Sequence, residues 1–151
     1  MTITLQSITK TNFEAILELK VAEAQQSFVA SNAYSLAQAS FNVEHLPSAI
    51  FRDDQPVGFV MLYDETQLET VPEKPDVAIE RLMVDERFQG QGIGREALKL
   101  VIEEVRARNK FSELFLCINP ENDGGEKLYR EVGFVPTGEL VGDEILMSYK
   151  F

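Results

Sequence analysis

Three glycines in five residues, Gly90, Gly92 and Gly94, stand between a stretch of strand character and a long amphipathic one. No other feature constrains the fold as tightly. Residues 77–84 read as a strand. From Ile93 to about residue 109, Ile93, Ala97, Val101 and Val105 form one helical row with Leu98 and Ile102 beside it. Glycine adopts backbone conformations closed to other residues and lets a ligand approach the amides. A helix start adds N–H groups without intrahelical partners and a partial positive charge. A strand, glycine turn and helix in this order make an anion site, to which Arg87 could add a cation. Two common phosphate motifs do not fit. A mononucleotide loop needs Gly-Lys-Ser/Thr after four spacer residues, and the dinucleotide fingerprint needs G-x-G-x-x-G at the first strand.

The remaining pattern surrounds this unit with a mixed α/β set. Residues 2–7 alternate as a half-buried first strand. Thr11, three residues before Glu14, has capping-box spacing and opens a helix through Ile16, Leu17 and Leu19. Residues 28–46 read as a broken helix with Phe28, Tyr34, Leu36 and Phe41 as its apolar positions. Residues 48–52 and 57–63 flank the turn Asp53-Asp54-Gln55-Pro56 as a hairpin. Residues 64–75 read as an acidic loop, 113–119 as a strand and 124–132 as a short helix capped by Gly133. A closing hairpin, 134–140 and 144–149, turns at Val141-Gly142-Asp143. The order predicts an α/β (α+β) fold, a mixed sheet covered by helices, in a single domain over 1–151.

Composition narrows the partners. Of 151 residues, 44% are hydrophobic and 26% charged, and 25 acids against 14 bases leave a net charge of −11. This repels nucleic acid and anionic membranes and mildly favours cationic substrates, although excess acid equally serves solubility. The first residues lack the basic flank and apolar run of a signal peptide, and no apolar stretch nears the ~18 residues of a membrane span. A cytoplasmic protein is expected. Cys117, the only cysteine, lies among apolar neighbours and is expected to be a buried strand residue. His45, beside Leu46-Pro47, is expected to be a loop or packing residue. No spacing of His, Cys and carboxylates suggests a metal site.

Two motifs in order carry a resemblance. Arg87-x-x-Gly90-x-Gly92 fits R/Q-x-x-G-x-G/A, and Asn122-x-x-Gly125-x-x-Leu128-Tyr129-x-x-x-Gly133-Phe134 looks like a second signature. Both resemble the GNAT N-acetyltransferase superfamily, whose sheet is mostly antiparallel with splayed middle strands. The resemblance implies acetyl-CoA as cosubstrate. Leu82, Met83 and Val84 would meet its pantetheine arm. The amides of Gln89, Gly90, Gln91, Gly92, Ile93 and Gly94 would hold the pyrophosphate, with Arg95 at the rim. Asn122 would contact the CoA arm, the alternative being a helix cap. Tyr129 matches the tyrosine that protonates the departing thiolate, the alternative being a core aromatic. Gly125 stands where alanine is common, which would loosen the start of Tyr129's helix. GNAT proteins are often dimers, so a homodimer is the assembly expected by analogy.

Glu80 is the base candidate. Strand alternation puts it with Ala78 and Leu82 on a largely apolar face, and a carboxylate there needs a task or a basic partner. Alkyl amines are protonated at neutral pH and must lose a proton before attack. The alternative for Glu80 is an ion pair with lysine or arginine. The pattern looks most like bacterial members that acetylate spermine, spermidine or diamines. Glu23, Gln25, Gln26 and Phe28 would form one wall of the acceptor groove, and Glu44, Asp64, Glu65 and Asp76 could attract a polycation. Protein or aminoglycoside amines, and a non-catalytic acyl-CoA sensor, remain as alternatives.

Overall fold

The computed structural model describes residues 1–151. One seven-stranded sheet organises them: β1 (Ile3–Gln6), β2 (His45–Arg52), β3 (Gln55–Asp64), β4 (Val77–Val84), β5 (Glu113–Ile118), β6 (Val135–Val141) and β7 (Glu144–Lys150). Their spatial order is β1-β2-β3-β4-β5-β7-β6. Every neighbouring pair is antiparallel except β4 and β5. The expected mixed, mostly antiparallel sheet with flanking helices is the fold observed.

Helices cover both faces. On one, α3 (Ile93–Arg108) lays its predicted row of Ile93, Ala97, Val101 and Val105 against Val60, Leu62, Val77 and Leu114. The short α4 (Asp123–Val132) packs Leu128 and Tyr129 onto the same core. On the other face, α1 (Phe13–Glu18) and α2 (Asn32–Phe41) cover Ala49, Phe59, Met61 and Met83 through Ile16 and the neighbouring Leu19, Leu36 and Ala39. Burial of each large aliphatic side chain contributes about 1.5–3 kcal/mol, so these two apolar layers fix where the helices sit.

Two local expectations are corrected. Thr11 forms no capping box, because Asn12 is the N-cap of α1 and its side chain accepts from the Thr9 amide (2.8 Å) and donates to the Ser7 carbonyl (3.0 Å). The broken helix over 28–46 is a shorter α2, capped by Ser31, with Phe28 outside it and Phe41 87% exposed. Its buried positions, Asn32 and Ser35, are polar, which is why apolar periodicity misplaced its boundaries.

Parallel strands β4 and β5 pair only at Ala78↔Phe115 and Ile79↔Leu116. Beyond Ile79 they separate, and the glycine turn sits at the open end of the split. A bulge just past this point matters equally. On β3, Met61 pairs with Arg81 but Leu62 pairs with Ile79, leaving Glu80 without a partner. The extra residue exchanges the two faces of β4. Val77 and Ile79 belong to the α3 side before it, Leu82 and Val84 pack there after it, and Met83 turns to the α1 side.

The turn after β4 is pinned to β3 and to the chain following α1. Gly58 lies opposite Val84 with no room for a side chain: a Cβ there would come within 2.5 Å of the Met83 carbonyl oxygen and 3.1 Å of Ile50 Cδ1. Gly58→Ala is expected to force β3 and β4 apart and destabilise the fold by about 1–3 kcal/mol, measured as the shift in chemical denaturation midpoint. An unchanged midpoint would show that the strands accommodate the methyl group.

Candidate active site

The glycine turn begins from a buried charge. Asp85 is 2% exposed and accepts from the Arg87 amide (2.9 Å), Arg87 Nε (2.8 Å) and the Lys20 amide (3.1 Å). Burial alone would raise its carboxyl, but the bonds from Arg87 and Lys20 and the guanidinium charge outweigh this and hold it below the ordinary value. Arg87 is thereby committed to Asp85 and is not the free phosphate-facing cation expected from its position.

Past Phe88 the chain turns twice through the left-handed region, at Gly90 (φ 76°) and Gly92 (φ 81°). A Cβ at either glycine would meet nothing within 4 Å, so both face open space. Gly92 is the N-cap of α3 and supplies no capping side chain. The consequence is a run of backbone donors: the amides of residues 89–95 donate to no group of the chain. Stacked at the positive end of a sixteen-residue helix, they make a concave cradle suited to a diphosphate.

The cradle opens into a cavity of about 550 Å³ that runs along the β4–β5 split. Of the residues expected to hold acetyl-CoA, Leu82, Met83, Val84, Gln89, Gly90, Gly92, Ile93, Gly94, Arg95 and Asn122 line it. Gln91 does not; its side chain accepts from Arg52 Nη1 (2.5 Å) outside the cavity. Arg95 pairs with Glu131 of α4, joining the two helices beside the cradle. Asn122 is the N-cap of α4, its oxygen accepting from the Gly125 amide at 3.0 Å. A Cβ at 125 would lie 2.7 Å from Asn122 Nδ2, so glycine there accommodates this cap, and α4 runs unbroken through it.

Tyr129 stands on the same cavity wall. Its ring meets Phe134 edge-on (5.9 Å between centroids), and its carbonyl accepts from the amides of Gly133 and Phe134 at the end of α4. The hydroxyl bonds to nothing in the chain, and burial pushes its pKa up to about 12. It therefore stays protonated across the neutral range and can donate to an anion developing nearby.

Glu80 also borders the cavity, but not as alternation predicted. The bulge takes it off the apolar face. Its side chain is 34% exposed and accepts from Arg81 Nη1 at 2.9 Å. Arg81 is itself held by Gln38 of α2 (3.1 Å) and lies over Tyr34. The ion pair left open as an alternative is the arrangement present.

The residues expected to form the acceptor wall divide. Gln25 and Phe28 line the cavity, whereas Glu23 and Gln26 do not. Nor do the four acids form one open face. Asp64 is 1% exposed and bound by Arg108 (2.7 Å) and Thr66. Glu65 accepts from the Asp76 amide (2.8 Å), and burial, then Glu65 and Glu113, raises the Asp76 carboxyl. Glu65, Glu44 and Glu80 do converge electrostatically on Tyr63, whose hydroxyl is raised first by burial and then by these charges. His45 is a packing residue, stacked edge-on against Tyr63 and away from the cavity.

Cys117 is the clearest miss. It is exposed into the cavity rather than buried, because Leu114, Leu116 and Ile118 take the core side of β5. Desolvation raises the thiol, and Glu144 and Glu80 raise it further. Alternation could place Cys117 opposite Leu116, but a strand apolar on both faces does not tell which face is open.

Against known proteins, residues 13–134 match the model of the Acetyltransferase (GNAT) family. The chain is 31% identical over 145 residues to the spermine/spermidine N(1)-acetyltransferase of Bacillus subtilis strain 168, covering 93% of this chain and 92% of that one. Among solved structures, the PaiA N-acetyltransferase of Thermoplasma acidophilum in complex with coenzyme A superposes with a TM-score of 0.71 at 18% identity over the full length of both chains. The aminoglycoside acetyltransferase AAC(6')-Ib in complex with coenzyme A gives 0.79 at 12% identity, over 99% of this chain and 95% of that one. At such identities these two likenesses speak for the fold. No helix is long and apolar enough to cross a membrane. The chain belongs to the GNAT acetyltransferase family, and it is an acyltransferase whose cosubstrate is acetyl-CoA.

Proposed function

We propose that the enzyme transfers acetyl from acetyl-CoA directly to a primary amine of a polyamine or diamine. The observation carrying the acceptor class is the 31% identity to the Bacillus spermine/spermidine enzyme over nearly the whole chain. Glu80 on the cavity wall supports it, because a carboxylate there attracts a cationic amine.

Acetyl-CoA supplies the activated carbonyl. The amides of residues 89–95 hold its diphosphate, and β4 from Leu82 to Val84, freed from β5, runs beside the pantetheine. The amine nitrogen attacks the carbonyl carbon, the carbon–sulfur bond breaks, Tyr129 gives its proton to the departing sulfur, and the second proton shed by the nitrogen restores Tyr129. Glu80 takes the proton lost by the ammonium, directly or through water, and its exposure lets that proton pass to solvent. Direct attack is favoured over an acetyl-cysteine route because the Cys117 thiol is raised, which keeps the nucleophilic thiolate scarce.

Screening amines with acetyl-CoA and a thiol reagent tests the reading. Turnover restricted to aminoglycosides or protein amines would replace the acceptor class, and tight CoA binding without turnover would replace the enzyme with a sensor. Gly92→Val places a branched side chain at φ 81° in the cradle and is expected to weaken acetyl-CoA binding about tenfold or more by calorimetry while the domain stays folded. Tyr129→Phe should lower kcat about 10²–10⁴-fold with acetyl-CoA affinity retained. In the wild type, Tyr129 loses its proton only near pH 12, so kcat/KM should rise as the amine deprotonates, with no descending limb from Tyr129 below about pH 11. Glu80→Gln should reduce turnover most where the amine is protonated, whereas a uniform loss across pH would mark a structural role.

A further inference from the structure

Between α1 and α2 the chain forms one side of the cavity through Val21, Gln25, Phe28 and Val29. This wall has little structure of its own beyond a 3-10 turn at Glu23–Gln25. Its other side is partly open as well. A second cavity of about 350 Å³ lies there, lined by Lys20, Gln26, Ala30 and Met83, and Val21 and Val29 border both spaces. Packing holds the partition at Val21 and Val29, which rest on the core under α1 and α2.

Hydrogen bonds tie it to the cradle. From Lys20 to Ala30, every hydrogen bond to another part of the chain goes to residues 85–89. The Lys20 amide donates to Asp85 (3.1 Å), the Glu86 amide donates to the Lys20 carbonyl (2.8 Å), and Gln89 Nε2 donates to Gln25 Oε1 (2.8 Å). Gln89 Nε2 also donates to the Val84 carbonyl (2.9 Å), which aims the side chain from the end of β4 towards the wall. The backbone amide of Gln89 is one of the unpartnered donors of the cradle. One residue thus belongs to the diphosphate site by its main chain and to the opposite wall by its side chain.

We infer that Gln89 is a positioning residue which, through Gln25, orders the acceptor wall when the cradle is filled. An anion bound to the amides fixes the Gln89 backbone, narrows the directions open to its side chain, and so holds the wall at Gln25. The two sites are then thermodynamically coupled. Cofactor binding raises affinity for the acceptor, and acceptor binding raises affinity for the cofactor by the same factor. That the wall contacts an amine rests on the preceding reading; the mechanical link does not.

Hydrogen exchange on the full chain with CoA alone tests the link without requiring an acceptor. In the wild type, CoA should slow exchange within residues 20–31 by about fivefold or more. Gln25→Leu should lose that slowing while its CoA affinity changes by no more than about twofold. Gln25→Glu, which keeps an oxygen facing Gln89 Nε2, should retain it. Gln89→Met removes the same bond from the other side, and combined with Gln25→Leu should add nothing further to the loss. No slowing in the wild type, or equal slowing in wild type and Gln25→Leu, would overturn the inference. If an amine substrate is identified, Gln25→Leu should raise its KM about fivefold, and the acetyl-CoA KM at saturating amine by a similar factor, with kcat nearly unchanged. Slowing by CoA in the absence of any amine turnover would leave the link standing and remove only the proposed acceptor.

Discussion

Everything at the site follows from two parallel strands that part after two paired positions. A β-strand inside a sheet ordinarily spends its backbone donors and acceptors on both neighbours. Past Ile79, β4 keeps β3 on one side and loses β5 on the other. The split leaves a polar main-chain edge of β4 without a strand partner, and the glycine turn at its mouth continues the supply of free donors into α3. The cavity between β4 and β5 is therefore part of the sheet's design. The apolar layers under α3 and under α1 and α2 hold the two halves of the sheet in place while leaving the gap unfilled.

Electrostatics distribute the work along that gap. Near the cradle, Arg87 is neutralised by Asp85, so the positive potential there comes from backbone dipoles and the helix end more than from that side chain. At the Tyr129 position, burial suppresses ionisation and preserves a proton donor. At the Glu80 position, the bulge brings a carboxylate to a partly solvated rim with Arg81 beside it. A phenol kept neutral by burial and a carboxylate kept wet thus border the same cavity.

Much of this was legible in the chain. Strand β4 and the buried row of α3 were readable because each combines one strong period with clear terminators, and Gly133 closes α4 as a helix-ending glycine should. The glycine turn was readable from local backbone preferences, whereas Tyr129 stood out only through the resemblance of its surrounding signature to the GNAT family. Other features were not readable. Alternation fails at Glu80 because a bulge is a property of two strands in register, and only β3 shows that Leu62 pairs with Ile79. Asp64 looked like one more surface acid until Arg108, 44 residues away, came to meet it in the interior. The polar buried side of α2 defeated a method that searches for apolar stripes.

By itself, the sequence determined the local units: a strand, a left-handed glycine turn and a helix with unpaired amides, set by conformational preferences that act within a few residues. It also determined that a phenol would follow on the next helix at a fixed spacing. Only the tertiary structure decided which face of β5 opens onto the cavity, where the bulge turns Glu80, and that Gln25 and Gln89 meet across it. Those outcomes depend on contacts between residues far apart in the chain, and such contacts exist only once the sheet has closed around its cores.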